Sequence, residues 1–582
     1  MRVAVVGSGV SGLAATWLLN EHSDHEVHLY ESDSRPGGHA NTVRFVPKGK
    51  MFDDGVDVDT GFIVFNPTTY PNFLRFLQLF SSGEKARKSS PPHGQRSGRA
   101  NDENPHIEIL PTEMTFSISR DRGSFEWAGK NLATVFCQPR RLLDPEMWRM
   151  IYDVLRFNVC ARRVLLNART DQDISIGDYL TKEGYSEAFR NNYLIPMTAA
   201  IWSTPPDTCF LDFPARTLIQ FMYNHHLLQI TGKPSWLTIK GGSHNYVNAI
   251  LSKLPKEQLY LNNAVKSVKS TEREGGGNPL VLLTTESGQE AVYDHVILAC
   301  HSDTVLSILR SGGITEEEER ILSMFDWNRN EAVLHADINL MPRSKLAWSC
   351  WNYLSSTKAM GVDKNGNGYQ SATEEGDLYS PKAKCPPKHA KLEINQVSLT
   401  YGMNDLQNIP ESRYGPVLVT LNPPFEPHED TVVGRWQYEH PVIDSNAVKA
   451  QNEMYRIQNT RSISYAGAYL KYGFHEDGFT SGLLAACSID DDQKSLPTAM
   501  AYTSNMSSTT IPIRRLTVRP PFDIQHADHH VRLARRGTEN TMYEVAAMVF
   551  DWLENSNFRN FLGIIGSVVL GILAWLFGVN IV

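Results

Sequence analysis

Apolar and polar positions fall in blocks along this 582-residue chain, and the first block is the most ordered. Val3-Ala4-Val5-Val6 is a continuous apolar run, as a strand covered on both faces requires, and it leads straight into Gly7-Ser8-Gly9-Val10-Ser11-Gly12. Small and apolar residues from Leu13 to Leu19 predict a helix, and Val27-His28-Leu29-Tyr30 predicts a second strand that stops at Glu31. Val296-Ile297-Leu298-Ala299 reads as another buried parallel strand. Ile463-Ser464-Tyr465 begins a late one, followed by a glycine-rich turn and a helix from Leu483. Blocks rich in Ser, Pro, Gly and charge predict disordered insertions at 83–105 and 355–387 and a polar linker from 490. Within residues 541–553, Val545, Met548, Val549 and Trp552 recur at helical spacing, as in a helix lying on a membrane surface or extending an anchor. Residues 561–582 carry no charge; at 1.5 Å per residue they would span about 30 Å, which predicts a transmembrane helix.

The glycines give the first block its chemistry. Gly7 permits a tight turn, Gly9 lets a pyrophosphate approach the backbone, and Gly12 lets helix and strand pack closely. The helix N-terminus adds unpaired N–H donors, with Ser8 and Ser11 beside them. Glu31, at the end of the second strand, is placed to accept the ribose hydroxyls of an adenosine. A dinucleotide cofactor follows from these residues alone.

Composition narrows the setting. A hydrophobic content of 41% with 21% charged residues describes a globular protein, and the length allows two or more domains. A formal net charge of −8 without a basic stripe argues against a nucleic-acid partner. The seven cysteines are scattered with no Cys-x-x-Cys, which fits free thiols in a reducing compartment. His526-Ala527-Asp528-His529-His530 holds ligand-type residues but no second cluster, so no metal site is expected.

After Glu31, Arg35-Pro36-Gly37-Gly38-His39 resembles the second glycine loop of the flavin-containing amine oxidase and phytoene desaturase superfamily. Asp59-Thr60-Gly61-Phe62, Tyr193 through Ser203, 330–343, 348–353, 400–407 and Gly473-Phe474-His475-Glu476-Asp477-Gly478 extend the likeness over most of residues 1–487. They resemble, more narrowly, predicted NAD/FAD-binding proteins associated with cyclopropane-fatty-acid synthases. The resemblance implies an α/β fold of the amine-oxidase type, with a Rossmann-like FAD-binding domain and a discontinuous α+β substrate domain. Its parts would be 1–82, 236–305 and 455–489 for the FAD domain, and 106–235 and 306–454 for the substrate domain. A polar linker with an amphipathic helix (490–560) and the anchor (561–582) follow.

The resemblance implies FAD, bound noncovalently, with Gly7, Ser8, Gly9, Ser11, Gly12, Glu31, Arg35, Gly37, Gly38, His39, Val265, Gly467, Glu476, Asp477 and Gly478 as cofactor-binding residues. His475, Glu476 and Asp477 precede a helix, where capping and cofactor positioning are equally good readings. Tyr193, Trp202, Tyr353, Tyr401 and Asn404 are weak catalytic candidates, with His335, Trp351 and Asn352 as further residues of the substrate layer; core packing is the alternative for each. Lys240 and Lys471 read as solvated lysines. The expected activity is hydride transfer from a lipid, fatty-acyl or isoprenoid substrate to flavin N5 at a membrane surface. Oxidation of a soluble amine with release of peroxide, or a non-catalytic flavin-binding membrane scaffold, are the alternatives. The anchor implies a tail-anchored protein with a cytosolic body, at the endoplasmic reticulum if eukaryotic. Gly563, Ser567 and Gly571 align on one helix face and offer a homodimer contact.

Overall fold

In a computed structural model the described residues are all but 82–104, 167–173, 203–212, 230–234, 356–357, 363–367, 371–391, 394–397, 490–517, 526–537, 557 and 577–582. The expected insertion at 83–105 and the His526–His530 cluster lie almost wholly or wholly outside them.

A five-stranded parallel sheet carries the N-terminal pattern. Its strands are β1 (Arg2–Val6), β2 (Glu26–Tyr30), β3 (Leu259–Tyr260), β4 (His295–Leu298) and β5 (Ile463–Tyr465), in the order β5-β4-β1-β2-β3. Ala4 pairs with His28 on one side and Val296 on the other, so β1 is central and needs apolar side chains on both faces. The helices that frame the site and the C-terminal face are α1 (Val10–His22), α2 (Pro71–Ser81), α3 (Pro145–Cys160), α4 (His475–Cys487), α5 (Thr538–Asn555) and α6 (Phe558–Leu576). On one face of the sheet Leu13, Leu18, Phe73, Phe76, Phe479 and Leu483 join α1, α2 and α4 in a single core. On the other, the antiparallel strands Val265–Thr271, Leu280–Thr285 and Glu290–Tyr293 and the helix Ser302–Gly312 bury Val268, Leu283, Val305 and Leu309.

Chain segments almost five hundred residues apart meet because two glycines remove a side chain. A Cβ on Gly12 would lie 1.8 Å from the Gly7 carbonyl oxygen, and one on Gly482 would lie 2.0 Å from that of Ser11. Helix α1 therefore sits tight against β1, and α4 tight against α1.

A separate sheet has seven, mostly antiparallel strands. Its order is Val432–Val442, Asp326–His335, Leu418–Leu421, Ser398–Gly402, Trp351–Ser355, Phe116–Arg120 and Phe125–Ala128, so the interval 306–454 supplies five adjacent strands and 106–235 adds two at one edge.

Three expectations change. Residues 518–525, read as part of a polar linker, pack on α1 and α2: Val518 is buried, Phe522 stacks on Trp17 at 6.1 Å, and Gln525 exchanges hydrogen bonds with the Asn72 side chain. Their apolar residues are too widely spaced to give a periodic signal. Inside the interval 355–387, Lys358–Val362 and Gly368–Gln370 pair antiparallel, strands too short to stand out from the polar composition around them. Among the described residues no helix is long and apolar enough to cross a membrane. The helix expected at 561–582 is instead α6, which begins earlier and takes in Arg559, while residues 577–582 lie outside the described ones.

Candidate active site

The two glycine loops form one surface. Gly37 N–H donates to the Ser8 carbonyl at 3.0 Å, and a Cβ on Gly38 would lie 3.1 Å from Gly9 Cα. Gly37 and Gly38 both have positive φ (110° and 56°), a conformation that glycine adopts without strain. A Cβ on Gly9 would meet nothing within 4 Å, so its side faces open space beside the N-terminus of α1. Ser11 and Gly12 fill the first turn of that helix and are buried. The result is a cradle free of side chains, edged by backbone donors, which fits a pyrophosphate.

Glu31 closes one end of the cradle. Its Oε2 accepts from Ser8 N–H (2.8 Å) and Ser8 Oγ (2.5 Å), and its Oε1 accepts from Asp33 N–H (2.9 Å). Asn263 N–H bonds the Glu31 carbonyl at 2.8 Å, which brings Val265 at the start of its strand to the same end of the cradle. Arg35 is turned onto its own loop, with Nη2 donating to the Gly38 carbonyl at 2.8 Å and Nη1 to that of Ala40 at 3.3 Å. It braces the glycines from within its own loop.

At the far end, α4 aims its first turn at α1: a Cβ on Gly478 would touch Val10 Cγ1 at 2.6 Å. Gly467 N–H donates to Ser481 Oγ at 2.9 Å, and a Cβ on Gly467 would strike the Tyr469 ring at 2.2 Å. Asp477 accepts from Phe474 N–H at 3.0 Å and so caps its own helix. Glu476 caps another one, accepting from Asn72 and Phe73 N–H at the start of α2. Both carboxylates thus cap helices, Glu476 also accepts from Thr480 Oγ1 at 3.1 Å, and burial pushes Glu476 up to about 8.

Between the two loops stands a set of rings. His39 stacks on Tyr438 at 4.9 Å and meets His440 edge-on at 5.4 Å, and its Nε2 is buried with no hydrogen-bond partner. Burial, with His440 and His301 nearby, holds His39 well below the usual imidazole range, and burial brings His440 down to about 4. Both rings are neutral at pH 7. The Tyr438 hydroxyl bonds Asn41 Nδ2 at 2.9 Å and Thr60 Oγ1 at 2.7 Å. His475 lies face to face with Phe62 at 3.7 Å and bonds the Tyr246 hydroxyl at 2.8 Å; burial lowers it to about 3. Asp59 anchors this region, accepting from Ser243 N–H (2.8 Å), Ser243 Oγ (2.7 Å), Thr42 Oγ1 (2.6 Å) and Gln407 Nε2 (2.9 Å). Burial raises it to about 6 despite these donors. Sequence reasoning missed Tyr438 and His440; the one available signal was their i, i+2 spacing, which puts both on the same face of the strand Val432–Val442.

The candidates of the substrate layer separate into two groups. Tyr193, Trp351, Tyr353 and Tyr401 join one apolar cluster with Trp127 and Ile118. Tyr193 stacks on Trp127 at 5.9 Å, and Trp351 meets Tyr401 edge-on at 5.4 Å. Asn404 belongs elsewhere: its amide donates to the Ile409 and Gly415 carbonyls and accepts from Val417 N–H at 2.8 Å. Asn352 is likewise consumed by Ser117, Ser349 and Thr400, and His335 by Thr420 Oγ1 and Asp337 N–H. Trp202 ends the helix Ile195–Trp202, and its side chain is outside the described residues. Lys240 pairs with Glu108 at 2.7 Å on the surface.

Fold and site together define an FAD-dependent oxidoreductase. The chain belongs to the flavin-containing amine oxidoreductase family, whose profile matches residues 10–322, more than half of its length. No curated protein matches the sequence. Among solved structures, it is similar to a cyclohexylamine oxidase from Brevibacterium oxydans IH-35A (13% identity, 84% of this chain and 98% of that one, TM-score 0.51). It is also similar to a fatty acid isomerase from P. acnes that produces CLA (13%, 83% and 97%, TM-score 0.50). A putative protoporphyrinogen oxidase from Exiguobacterium sp. 255-15 (13%, 84% and 99%, TM-score 0.50) shares the fold as well. At these identities the likeness establishes architecture.

Proposed function

We propose that this protein oxidises an apolar substrate of the lipid, fatty-acyl or isoprenoid class at a membrane surface, with FAD held noncovalently between the two glycine loops and the first turn of α4. The bound cofactor supplies the hydride-accepting chemistry. The chain supplies the rest. Gly9, Gly38 and the N-terminus of α1 receive the pyrophosphate, Glu31 and Val265 the adenosine, and Gly467 and Gly478 keep side chains out of the path along α4. Neutral His39 and His440 add no positive charge beside this path.

One observation carries the substrate reading. Tyr193, Trp351 and Tyr401 are partly exposed and pack together with Trp127 and Ile118 in one aromatic, apolar cluster. An aromatic, apolar surface of this kind suits an apolar substrate. The uncharged C-terminal run 561–582 supports a membrane setting.

Anaerobic mixing of the purified holoprotein with acyl, isoprenoid and amine panels tests the reading. Bleaching of the flavin band by an acyl or isoprenoid compound is the expected outcome. Bleaching by amines alone, with peroxide on readmission of oxygen, would replace it with soluble amine oxidation.

A further inference from the structure

Helix α5 is turned inside out for a water-soluble protein. Its polar face meets the body: Tyr152 of α3 donates to Glu554 at 2.7 Å, Arg163 pairs with Asp551 at 2.7 Å and with Glu544 at 3.5 Å, and the Arg162 guanidinium lies 3.6 Å over the Tyr543 ring. Its apolar face points outward, with Met542, Val545, Met548, Val549 and Trp552 between 52% and 75% exposed. A surface helix ordinarily buries that stripe.

The outward surface continues past α5. Trp552 touches Phe558 at 5.3 Å, and α6 then exposes residues on nearly every side, Ile564 to 66% and Val568 to 56%. On α3, Trp148 and Leu155 lie one turn to either side of Tyr152 and are 44% and 40% exposed. Soluble monomers rarely leave contiguous apolar surface of this extent.

The geometry points to a lipid bilayer as the occupant. A protein groove covers one stripe of a helix, whereas α6 has no charged side chain after Arg559 and is apolar around its whole circumference; only an apolar medium matches that. Trp552 and Arg559 stand at the junction between the ion-paired α5 and the uncharged α6, the residue types that settle at the headgroup level. We infer that α5 lies along the membrane plane with Val545, Met548 and Trp552 in the headgroup–acyl boundary, and that its ion pairs to Arg163 and its hydrogen bond from Tyr152 fix how the catalytic body sits over the lipid. The inference rests on the membrane part of the reading above and is independent of the substrate.

Vesicle flotation of the full-length holoprotein tests it, with phosphatidylcholine vesicles as the probe and Met548→Glu combined with Trp552→Glu as the variant. Wild type is expected to float and the variant to partition at least tenfold less, with flavin absorbance and melting temperature unchanged. If the variant loses flavin or melts early, Val545→Ser with Met548→Gln, which adds no charge, takes its place and is expected to weaken flotation several-fold. Equal flotation of wild type and variant would overturn the inference, since α6 alone would then hold the membrane. So would a wild type that stays out of the vesicles, whether self-associated by light scattering or monomeric with its own chain over the face. Flavin reduction is read in the same samples, so a failed oxidoreductase reading and a failed membrane reading give different results.

Discussion

Glu476 and Asn72, four hundred residues apart in sequence, are joined by a hydrogen bond that fixes one end of the cofactor domain to the other. The Asn72 N–H donates to Glu476 Oε1 and the Phe73 N–H to Oε2, both at 3.0 Å, so a side chain from α4 satisfies the first free donors of α2. Helix α4 is thereby held where its own first turn faces the glycine loops.

Replacing Glu476 by Gln leaves a single acceptor for two buried donors, a loss of about 1–3 kcal/mol by denaturant titration. The pH dependence has a definite sign. Burial raises the Glu476 carboxyl from 4.5 to about 8, so its contribution is complete at acid pH and drains away as pH rises through about 8. Between about pH 5 and 9 the wild type should lose melting temperature relative to Glu476→Gln. A gap that widens with rising pH would contradict this assignment.

The fingerprint glycines should fail in different ways. Gly12→Ala places a methyl 1.8 Å from the Gly7 carbonyl and forces α1 away from β1, so the variant should unfold early or fail to accumulate. Gly9→Ala meets open space and has a negative φ, so the apoprotein should melt normally while flavin content falls at least tenfold. Equal loss of stability in both variants would remove the cofactor argument from Gly9.

Glu31→Gln takes away a charged acceptor that now holds Ser8 N–H and Oγ. Charge-assisted hydrogen bonds of this kind contribute about 1.5–3 kcal/mol, so FAD affinity should fall roughly tenfold to a hundredfold. Flavin titration of the apoprotein measures it, and unchanged affinity would put the adenosine elsewhere.

Asn404 and Tyr401 are close in sequence and separate in role. Asn404→Ala cuts three hydrogen bonds that hold the loop 409–417 and should cost about 2–3 kcal/mol of stability with little change in the rate of flavin reduction. Tyr401→Ala should raise the KM for a long apolar substrate and leave flavin content intact. A Tyr401→Ala variant with wild-type kinetics would confine this ring to the core.

The cofactor domain was legible because its signals are local. The run Val3–Val6, the glycine spacing and Glu31 lie within 31 residues, and each type has a backbone or hydrogen-bonding reason to stand where it does. The roles of Arg35 and Glu476 were not legible in the same way. A side chain that braces a loop or caps a distant helix has the same sequence signature as one that meets a phosphate, and only the fold decides the partner. Tyr438 and His440 were overlooked because two residues on one strand face are too few to stand out from ordinary alternation. At the C-terminus periodicity correctly implied a helix with an apolar stripe, while the direction that stripe faces depended on Arg163 and Tyr152, almost four hundred residues earlier in the chain.

The central claim is that this chain holds FAD and passes hydride to it from an apolar compound. Its most direct test is the visible spectrum of the purified full-length protein, recorded before and after anaerobic addition of fatty-acyl and isoprenoid candidates. The expected result is a bound flavin spectrum that is lost on addition of at least one of them. A colourless protein that takes up no FAD, or a bound flavin that only amines reduce, would contradict it.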